Sequence, residues 1–312
     1  MMNSRNIKKH LKAKIRDWAD SIDDEEVKKV ILENVIVTGG ALVSLLTGEP
    51  VNDYDIYFRN QEACITVGGY YVSKWNKSHP DKPVTLKVEE KTGKVSCFIS
   101  SKGIADENEE KKSDISYNFD TTPEEDEAVG LEREPEEQKG SASDDGKEKY
   151  RPRFITSNAI TLSDKIQIVT RFYGEVADIH KNYDFAHCTC AWSSWDNELF
   201  LPQKALECII NKELYYIGSL YPLCSIIRTR KYLERGYHIN AGQYVKMAMQ
   251  LNTLDLTDVK VLEDQLTGVD TTYFQIMIDE LKKHQKITSN DKVDTTYAMQ
   301  LINKLFKKEK KK

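Results

Sequence analysis

The most informative part of the chain is VIVTGGALVSLLTGEPVNDYDIYF, residues 35–58. Its β-branched run at 35–38 predicts a buried strand that ends at two glycines, and the apolar run at 40–47 predicts a helix of about two turns. Gly48 is then typical of the glycine that ends a helix. The alternating residues 53–58 predict a second strand. A glycine turn and an acidic strand end therefore belong to one short unit.

Two features of this stretch indicate a site for a phosphate and a metal. Gly39 and Gly40 let the backbone come close to a ligand, and the first N–H groups of the following helix favour an anion. Asp53 and Asp55 are two residues apart, so on a strand their carboxylates point to the same face. Two such carboxylates repel each other unless a cation lies between them, and Mg²⁺ binds hard oxygen ligands together with phosphate oxygens. The combination predicts phosphoryl or nucleotidyl transfer.

These residues resemble the DNA polymerase β-like nucleotidyltransferases, which carry Gly-Gly or Gly-Ser at the start of a short helix and Asp-x-Asp on the next strand. The most similar branch contains the tRNA CCA-adding enzymes and bacterial poly(A) polymerases, with the pattern G-G-x-V-R-D-x-L-L-G-x-x-x-x-D-x-D. The glycines and aspartates of residues 39–55 stand at the same spacing. Val-Ser at residues 43–44 replaces the Arg-Asp of that branch. Abortive-infection nucleotidyltransferase toxins, which resemble the same superfamily, also lack that pair.

The resemblance also implies a third carboxylate on a later strand, facing the first two. Asp184 is the best match, because it lies between two aromatic residues in the alternating run NYDFAHCTCAW (182–192), which predicts a strand. By the resemblance, Asp53 and Asp55 bind two Mg²⁺ ions. Asp184 would hold one of these ions and orient or deprotonate the acceptor hydroxyl. The alternative is an aspartate on an edge strand that faces solvent.

A second, looser similarity lies at YPLCSIIRTRKYLERGYHI, residues 221–239. It resembles the helix that follows the catalytic domain in the CCA-adding branch. By this similarity Arg228, Arg230 and Lys231 would contact the triphosphate or the base, since guanidinium groups suit phosphate. A solvated helix face is the alternative interpretation.

The rest of the chain predicts a mixed α/β region followed by helices. Residues 5–33 and 61–78 have helical spacing, and residues 84–100 predict a β-hairpin. Residues 151–162 predict a strand, and residues 163–172 predict a helix capped by its first residue, a serine. Further helices are predicted at 202–213, 219–235, 241–251, 258–267, 272–286 and 292–307.

We therefore expect an α+β fold in which a polymerase β-like palm, a mixed sheet with flanking helices, precedes an all-helical domain. The predicted catalytic domain covers residues 1–200 and the helical domain residues 201–306. Residues 307–312 form a basic tail.

The charge of the 312-residue chain is unevenly distributed. The net charge of −5 includes residues 104–149, where 17 acidic and 6 basic side chains give −11, so the remainder carries +6. That acidic segment offers few large apolar residues, which predicts a disordered insertion. The basic remainder is compatible with a polyanionic partner.

The cysteines and tryptophans are more typical of residues packed in a core than of metal ligands or ligand-binding residues. Six scattered cysteines, with no signal-peptide core ahead of them, predict reduced thiols in a soluble, cytoplasmic protein with no membrane span. The HCTC run at 187–190 suggests zinc, but strand alternation would send its histidine and its cysteines to opposite faces. Trp192 and Trp195 could stack on a base, although tryptophans at a strand end more often belong to a core or an interface.

The predicted reaction is Mg²⁺-dependent transfer of a nucleoside monophosphate from an NTP to an acceptor hydroxyl, with release of pyrophosphate. The first choice of acceptor is an RNA or tRNA 3′ end. The second is a protein hydroxyl, modified by a toxin-like or protein-modifying transferase. A catalytically inactive nucleotide- or RNA-binding module is the alternative from another class.

Overall fold

The computed structural model of the protein describes residues 2–81, 83–89, 93–99, 148–266 and 296. Within these residues the chain forms two compact units, and the boundary between them falls between residues 211 and 212. The first unit contains a mixed sheet and helices, and the second contains helices. The predicted α+β class is confirmed. The division into a catalytic and a helical domain stays a prediction.

The elements follow the predicted order over much of the chain. In the first unit they are α1 (Ser4–Asp20), α2 (Glu25–Asn34), β1 (Val35–Thr38), α3 (Gly40–Thr47), β2 (Tyr54–Phe58), α4 (Gln61–Ser78), β3 (Val84–Val88), β4 (Val95–Ile99), β5 (Pro152–Ile155), β6 (Ala159–Leu162), β7 (Ile166–Tyr173), α5 (Val176–His180), β8 (Ala191–Ser193), β9 (Leu199–Phe200) and α6 (Gln203–Asn211). In the second unit they are α7 (Pro222–Glu234), α8 (Ala241–Leu251) and α9 (Val259–Leu266).

Residues 35–58 form the centre of the main sheet. Seven strands pair in the order β5-β6-β7-β2-β1-β8-β9, and β3 and β4 form a separate antiparallel hairpin. β2 runs parallel to β7 and antiparallel to β1. In this register Asp55 lies opposite Thr38 of β1 and opposite Gln167 of β7.

One face of the sheet carries the main core. The fully buried Val37 and Ile56 belong to it, together with apolar residues of α1 to α4 such as Trp18 and Leu42. The predicted apolar stripe of α1 is buried along its length, because residues three and four apart lie on one helix face. Burying a side chain as large as Ile56 stabilises the fold by about 1.5–3 kcal/mol.

The opposite face of the sheet carries a much smaller apolar cluster. Its buried members are Ile36, Tyr57, Ile179 and Ala191. Strand side chains alternate between faces, so Thr38 and Asp55, two residues from members of this cluster, point to the same side. We call this side of the sheet the polar face.

The predicted helix at residues 163–172 is wrong, because β7 occupies most of that segment. Every second residue from Ile166 to Thr170 is buried, and the strand pairs with β2 and β6. β-branched residues favour strands, and their alternation outweighs the helix-start signal at Ser163. The Ser163 hydroxyl instead accepts a hydrogen bond from the backbone N–H of Arg151 at 3.1 Å. The preceding residues, predicted as one strand, form the β5–β6 hairpin.

The predicted strand at residues 182–192 is wrong for most of its length. β8 covers only its end, and Ala186–Cys188 form a single 3₁₀ turn. Residues 184–193 are all buried, so alternation in this run does not separate a buried from an exposed face. His187 and the neighbouring cysteines therefore do not lie on opposite faces of one regular strand, contrary to the prediction from alternation. All six cysteines are nevertheless buried, and none of them forms a disulfide.

Several predictions fall on parts of the chain that the structure does not describe. The acidic insertion lies outside the described residues except for Glu148 and Lys149, which pair with Lys74 and Asp17. The helix at 272–286, the helix at 292–307 apart from residue 296, and the basic tail also lie outside them. No helix in the described part of the chain is long and apolar enough to span a membrane.

Candidate active site

Gly39 places the backbone directly beside a carboxylate. It has φ +79° and ψ −143°, a conformation that residues with a side chain rarely adopt. A Cβ at this position would lie 3.4 Å from Asp55 Oδ2 and 3.4 Å from the Tyr183 hydroxyl. At Gly40 a Cβ would meet nothing within 4 Å. The first glycine of the pair is therefore the one that the local geometry requires.

The N-terminus of α3 begins at this turn and has no side-chain cap, as is also true of α5 and α7. Side chains of Asn3, Asp24, Asn60 and Asn240 cap α1, α2, α4 and α8. Unpaired N–H groups at a helix start can bind an anion, and the helix dipole favours negative charge there. At the other end Gly48 has φ +83°, and its N–H donates to the Ser44 carbonyl at 2.8 Å, so the predicted helix end is confirmed.

Asp53 and Asp55, the predicted metal ligands, lie in different environments. Asp55 is half-buried within β2, on the polar face. Asp53 is exposed and precedes β2, which begins at Tyr54. The sheet therefore holds the carboxylate of Asp55 in place, whereas the carboxylate of Asp53 is exposed to solvent.

Tyr183 is a residue of this site that sequence reasoning missed. Burial, followed by the negative potential of Tyr57 and Asp55, raises the pKa of Tyr183 well above its ordinary value. Its ring centre lies 6.3 Å from that of Tyr57. Tyr183 therefore stays protonated beside Asp55. Its position immediately before Asp184 was the available signal, but only the fold brings it to β2.

His180 was also missed, and it holds the end of β1. Its Nε2 lies 2.8 Å from Thr38 Oγ1, and Thr38 donates a hydrogen bond to the Cys190 carbonyl at 2.8 Å. Because a carbonyl oxygen only accepts, Thr38 accepts from His180, which requires a proton on Nε2. Burial lowers the pKa of His180 to about 4, so the ring is uncharged at neutral pH.

Asp184 follows Tyr183 in the chain and is only 5% exposed. The alternative interpretation, an aspartate on an edge strand that faces solvent, is therefore wrong. Asp184 is buried and does not lie on a strand. Its predicted role as third metal ligand stays a prediction.

The carboxylates fit one mode of magnesium binding. Among the described residues no group of three or more His, Cys, Asp or Glu side chains is close enough together to hold a metal ion. Mg²⁺ in phosphate-handling sites is commonly held by one or two carboxylates, with substrate phosphates and water as the other ligands. Asp53 and Asp55, next to an anion-binding helix start, fit that open arrangement and not a closed protein cage.

A family model described as Gabija anti-defense 2 family protein matches residues 9–212. The chain belongs to the Gabija anti-defense 2 family. A curated relative of that name, from Bacillus phage SPbetaL7, is 20% identical over 290 residues. The match covers 92% of this chain and 54% of the relative, so the chain spans about half the length of the curated protein that it matches.

Solved structures of CCA-adding enzymes are also similar to this Gabija anti-defense 2 chain. The Thermotoga maritima CCA-adding enzyme complexed with tRNA is 12% identical, with a TM-score of 0.35, over 93% of this chain and 58% of the enzyme. A CCA-adding enzyme with CTP is 12% identical, with a TM-score of 0.37, over 92% of this chain and 52% of the enzyme. TM-scores this low do not establish a common fold.

The family match includes the glycine turn, the Asp-x-Asp pair and Asp184, and it ends before α7. The residues predicted there to contact the triphosphate or base lie on a partly exposed helix. Arg230 and Lys231 are exposed, Arg228 is half-buried, and Arg230 Nε donates to Glu234 Oε1 at 3.0 Å. Their contact with a nucleotide stays a prediction.

Proposed function

We propose that this Gabija anti-defense 2 chain is a Mg²⁺-dependent nucleotidyltransferase, which moves a nucleoside monophosphate from an NTP to an acceptor hydroxyl. The observation that carries the proposal is the approach of Gly39 to Asp55, with a Cβ position 3.4 Å from the carboxylate, at the uncapped start of α3. An anion site and a carboxylate so close together suit a triphosphate with its cations.

The chain's own groups provide the binding geometry. Backbone N–H groups in the first turn of α3 donate to the triphosphate, and Gly39 lets it lie close to the sheet. Asp53 and Asp55 would hold two Mg²⁺ ions, and bound Mg²⁺ would supply positive charge beside the phosphate oxygens. Tyr183, protonated beside Asp55, and neutral His180, bonded to Thr38, fix the strand ends around the carboxylate.

The transfer itself is an in-line displacement. The acceptor oxygen forms a bond to the α-phosphorus, the bond from that phosphorus to the β-phosphate oxygen breaks, and pyrophosphate leaves. The proton of the acceptor hydroxyl passes to Asp184 in this proposal. The product is a phosphodiester with either acceptor, because the α-phosphorus keeps its bond to the nucleoside and gains one to the RNA or protein oxygen.

The acceptor that we infer first is an RNA or tRNA 3′ end, and the second is a protein hydroxyl. The name of the curated relative describes a protein that acts against a defence system called Gabija. We infer the same role for this chain, exerted by nucleotidyl transfer in the host cytoplasm.

A nucleotide- or RNA-binding module without catalysis is the second candidate function. One observation favours it: Asp53 is exposed, so the sheet holds only one carboxylate of the pair in place. Such a module would bind an NTP or RNA at the glycine turn and the Asp-x-Asp pair without transferring a nucleotide.

One experiment separates the two functions. The full chain is incubated with each labelled NTP, Mg²⁺ and either total RNA or a lysate, and label is followed into RNA and into protein. Asp55→Asn is expected to lower incorporation by more than about 100-fold, because loss of even an outer partner of a metal site costs about 10–100-fold. Asp20→Asn, at an exposed position of α1, is the matched control and should label like the wild type.

Equal labelling by Asp55→Asn and the wild type would show that the assigned carboxylate has no catalytic role. Binding of NTP by a wild-type protein that labels neither RNA nor protein would favour the binding module.

A further inference from the structure

A cavity of about 420 Å³ lies on the polar face of the sheet, next to β8 and β9. Its volume is within the range of small-ligand pockets in proteins. Ala191 and Val176 contribute apolar surface to its lining, and Trp195 and Phe200 contribute aromatic rings. Phe200 is 51% exposed, which is unusual for a large apolar ring that packs against the fold. Neither the family match nor the reaction proposed above explains this cavity.

The sheet register connects the cavity to the candidate active site. Asp55 pairs with Thr38, Thr38 with Ala191, and Ala191 with Phe200, so these residues form one row across four strands. Side chains that are paired across strands point to the same face. Three strand spacings of about 4.8 Å place Phe200 about 14 Å from Asp55 along that row.

His180 lies between the two regions and approaches a residue of each. Its Nε2 lies 2.8 Å from Thr38 Oγ1, and its ring centre lies 6.1 Å from that of Phe200. The carboxylate site and the cavity are therefore neighbouring parts of one surface.

The charges around the cavity exclude some ligands. Glu175, Asp196 and Glu198 line it, so a phosphate would be repelled there. A cation would be attracted, but Arg59 already takes that position. Its guanidinium lies 4.7 Å from the centre of the Trp195 ring, and its Nε lies 2.6 Å from Glu175 Oε1. A neutral, flat ligand suits the space that remains beside Phe200.

Asp196 is positioned to accept hydrogen bonds from such a ligand. Burial opposes its ionisation, but hydrogen bonds from Ser193, from the backbone and from Trp195 outweigh that effect and lower the pKa of Asp196. The backbone N–H of Glu198 donates to Asp196 Oδ1 at 3.0 Å. Asp196 is thus a fixed, ionised acceptor at the rim of an aromatic cavity.

We propose that this cavity binds a nucleobase, stacked on Phe200, while the reacting end of the same nucleotide, an NTP triphosphate or an RNA 3′ hydroxyl, lies toward Asp55. The proposal rests on the proposed nucleotidyl transfer and names a base-binding subsite for it. Stacking on an aromatic ring tolerates every base, because each has a π-face. The carboxylate rim accepts hydrogen bonds, so bases with an exocyclic amino group, adenine, cytosine and guanine, bind more tightly than uracil.

The base belongs either to the incoming NTP or to the end of the acceptor RNA, and two binding series distinguish these sources. In the first, calorimetry measures binding of ATP, CTP, GTP and UTP to the full chain. In the second, it measures binding of short RNAs that differ only in the 3′-terminal base. Phe200→Ala is expected to weaken one of the two series about tenfold, and uracil is expected to be the weakest base in it.

Two variants make this test independent of folding defects. Phe200→Leu keeps an apolar side chain without a flat ring, and it should also weaken binding. Ile210→Ala removes another exposed apolar side chain, 69% exposed on α6, and should bind like the wild type.

The outcomes separate this proposal from the proposed function. If the wild type transfers nucleotide and both Phe200 variants bind every NTP and RNA like Ile210→Ala, the base subsite is wrong and the transferase stands. If nucleotides bind in a Phe200-dependent way and nothing is labelled, the subsite stands and the transferase is wrong. Binding of an arginine-rich peptide that depends on Phe200, with none of nucleotides or RNA, would overturn the nucleobase assignment.

Discussion

The two faces of the central sheet differ in what they bury. The core face packs aliphatic and aromatic residues of β1 and β2 against α1 to α4. The polar face has a small apolar cluster and, beside it, Thr38, Asp55 and Tyr183. Burying polar groups costs free energy unless they are hydrogen-bonded, so a face that holds them gains less stability from folding. One face therefore stabilises the fold, and the other is free to arrange polar groups.

The largest expected effects on stability come from truncating one buried isoleucine on each face of the sheet to alanine. Ile56 and Ile36 are both fully buried, on the core face and the polar face. Ile56→Ala should lower the free energy of unfolding by about 4–5 kcal/mol and Ile36→Ala by about 2–3 kcal/mol, within the range for such cavities. Urea unfolding measures both values. Equal losses would show that the two faces contribute to stability in the same way.

The next largest effect is a dependence of the free energy of unfolding on pH, caused by His180 on the polar face. An unfolded histidine has a pKa near 6.5, whereas burial lowers the pKa of His180 to about 4. Between these values the unfolded chain binds a proton that the folded chain does not, so stability falls as the pH drops from about 6.5 to 4. The total loss is on the order of 3 kcal/mol.

Unfolding free energies at pH 7 and pH 4.5 test this expectation. His180→Gln, which can still donate to Thr38, should lose less stability on acidification than the wild type. His79→Gln, at an exposed position, should behave like the wild type. The assignment would be wrong if the two variants had the same pH dependence.

The smallest expected effect distinguishes the two adjacent glycines. Gly39→Ala forces a side chain into a strained conformation, 3.4 Å from Asp55 and Tyr183, and should cost about 1–3 kcal/mol. Gly40→Ala meets nothing and has no positive φ, so its stability should stay the same or rise by up to about 1 kcal/mol. Thermal unfolding gives both changes. A Gly39→Ala protein as stable as Gly40→Ala would show that the close approach is not required.

Local patterns predicted residues 35–58 well, because each element there depends on neighbours within a few residues. The β-branched run, the short apolar helix and Gly48 were enough to define β1, α3 and the end of α3. In residues 163–192 the same reasoning was wrong. There, the apolar residues of β7 fit a helical period as well as an alternating one, so a helix was predicted in place of a strand. A continuously buried segment has an alternating sequence, so a strand was predicted in place of a turn.

Local sequence patterns are enough to predict the glycine turn, the position of Asp55 on a strand and the mixed class of the fold, since these follow from short-range sterics and periodicity. The strand order β7-β2-β1-β8-β9 decided which distant residues meet Asp55. Thr38 is opposite it through pairing of β1 with β2, and Tyr183, His180 and Phe200 reach the same face from 125 or more residues further along the chain. No local pattern contains that information, because burial of the core face as a whole fixes the order in which the strands pair.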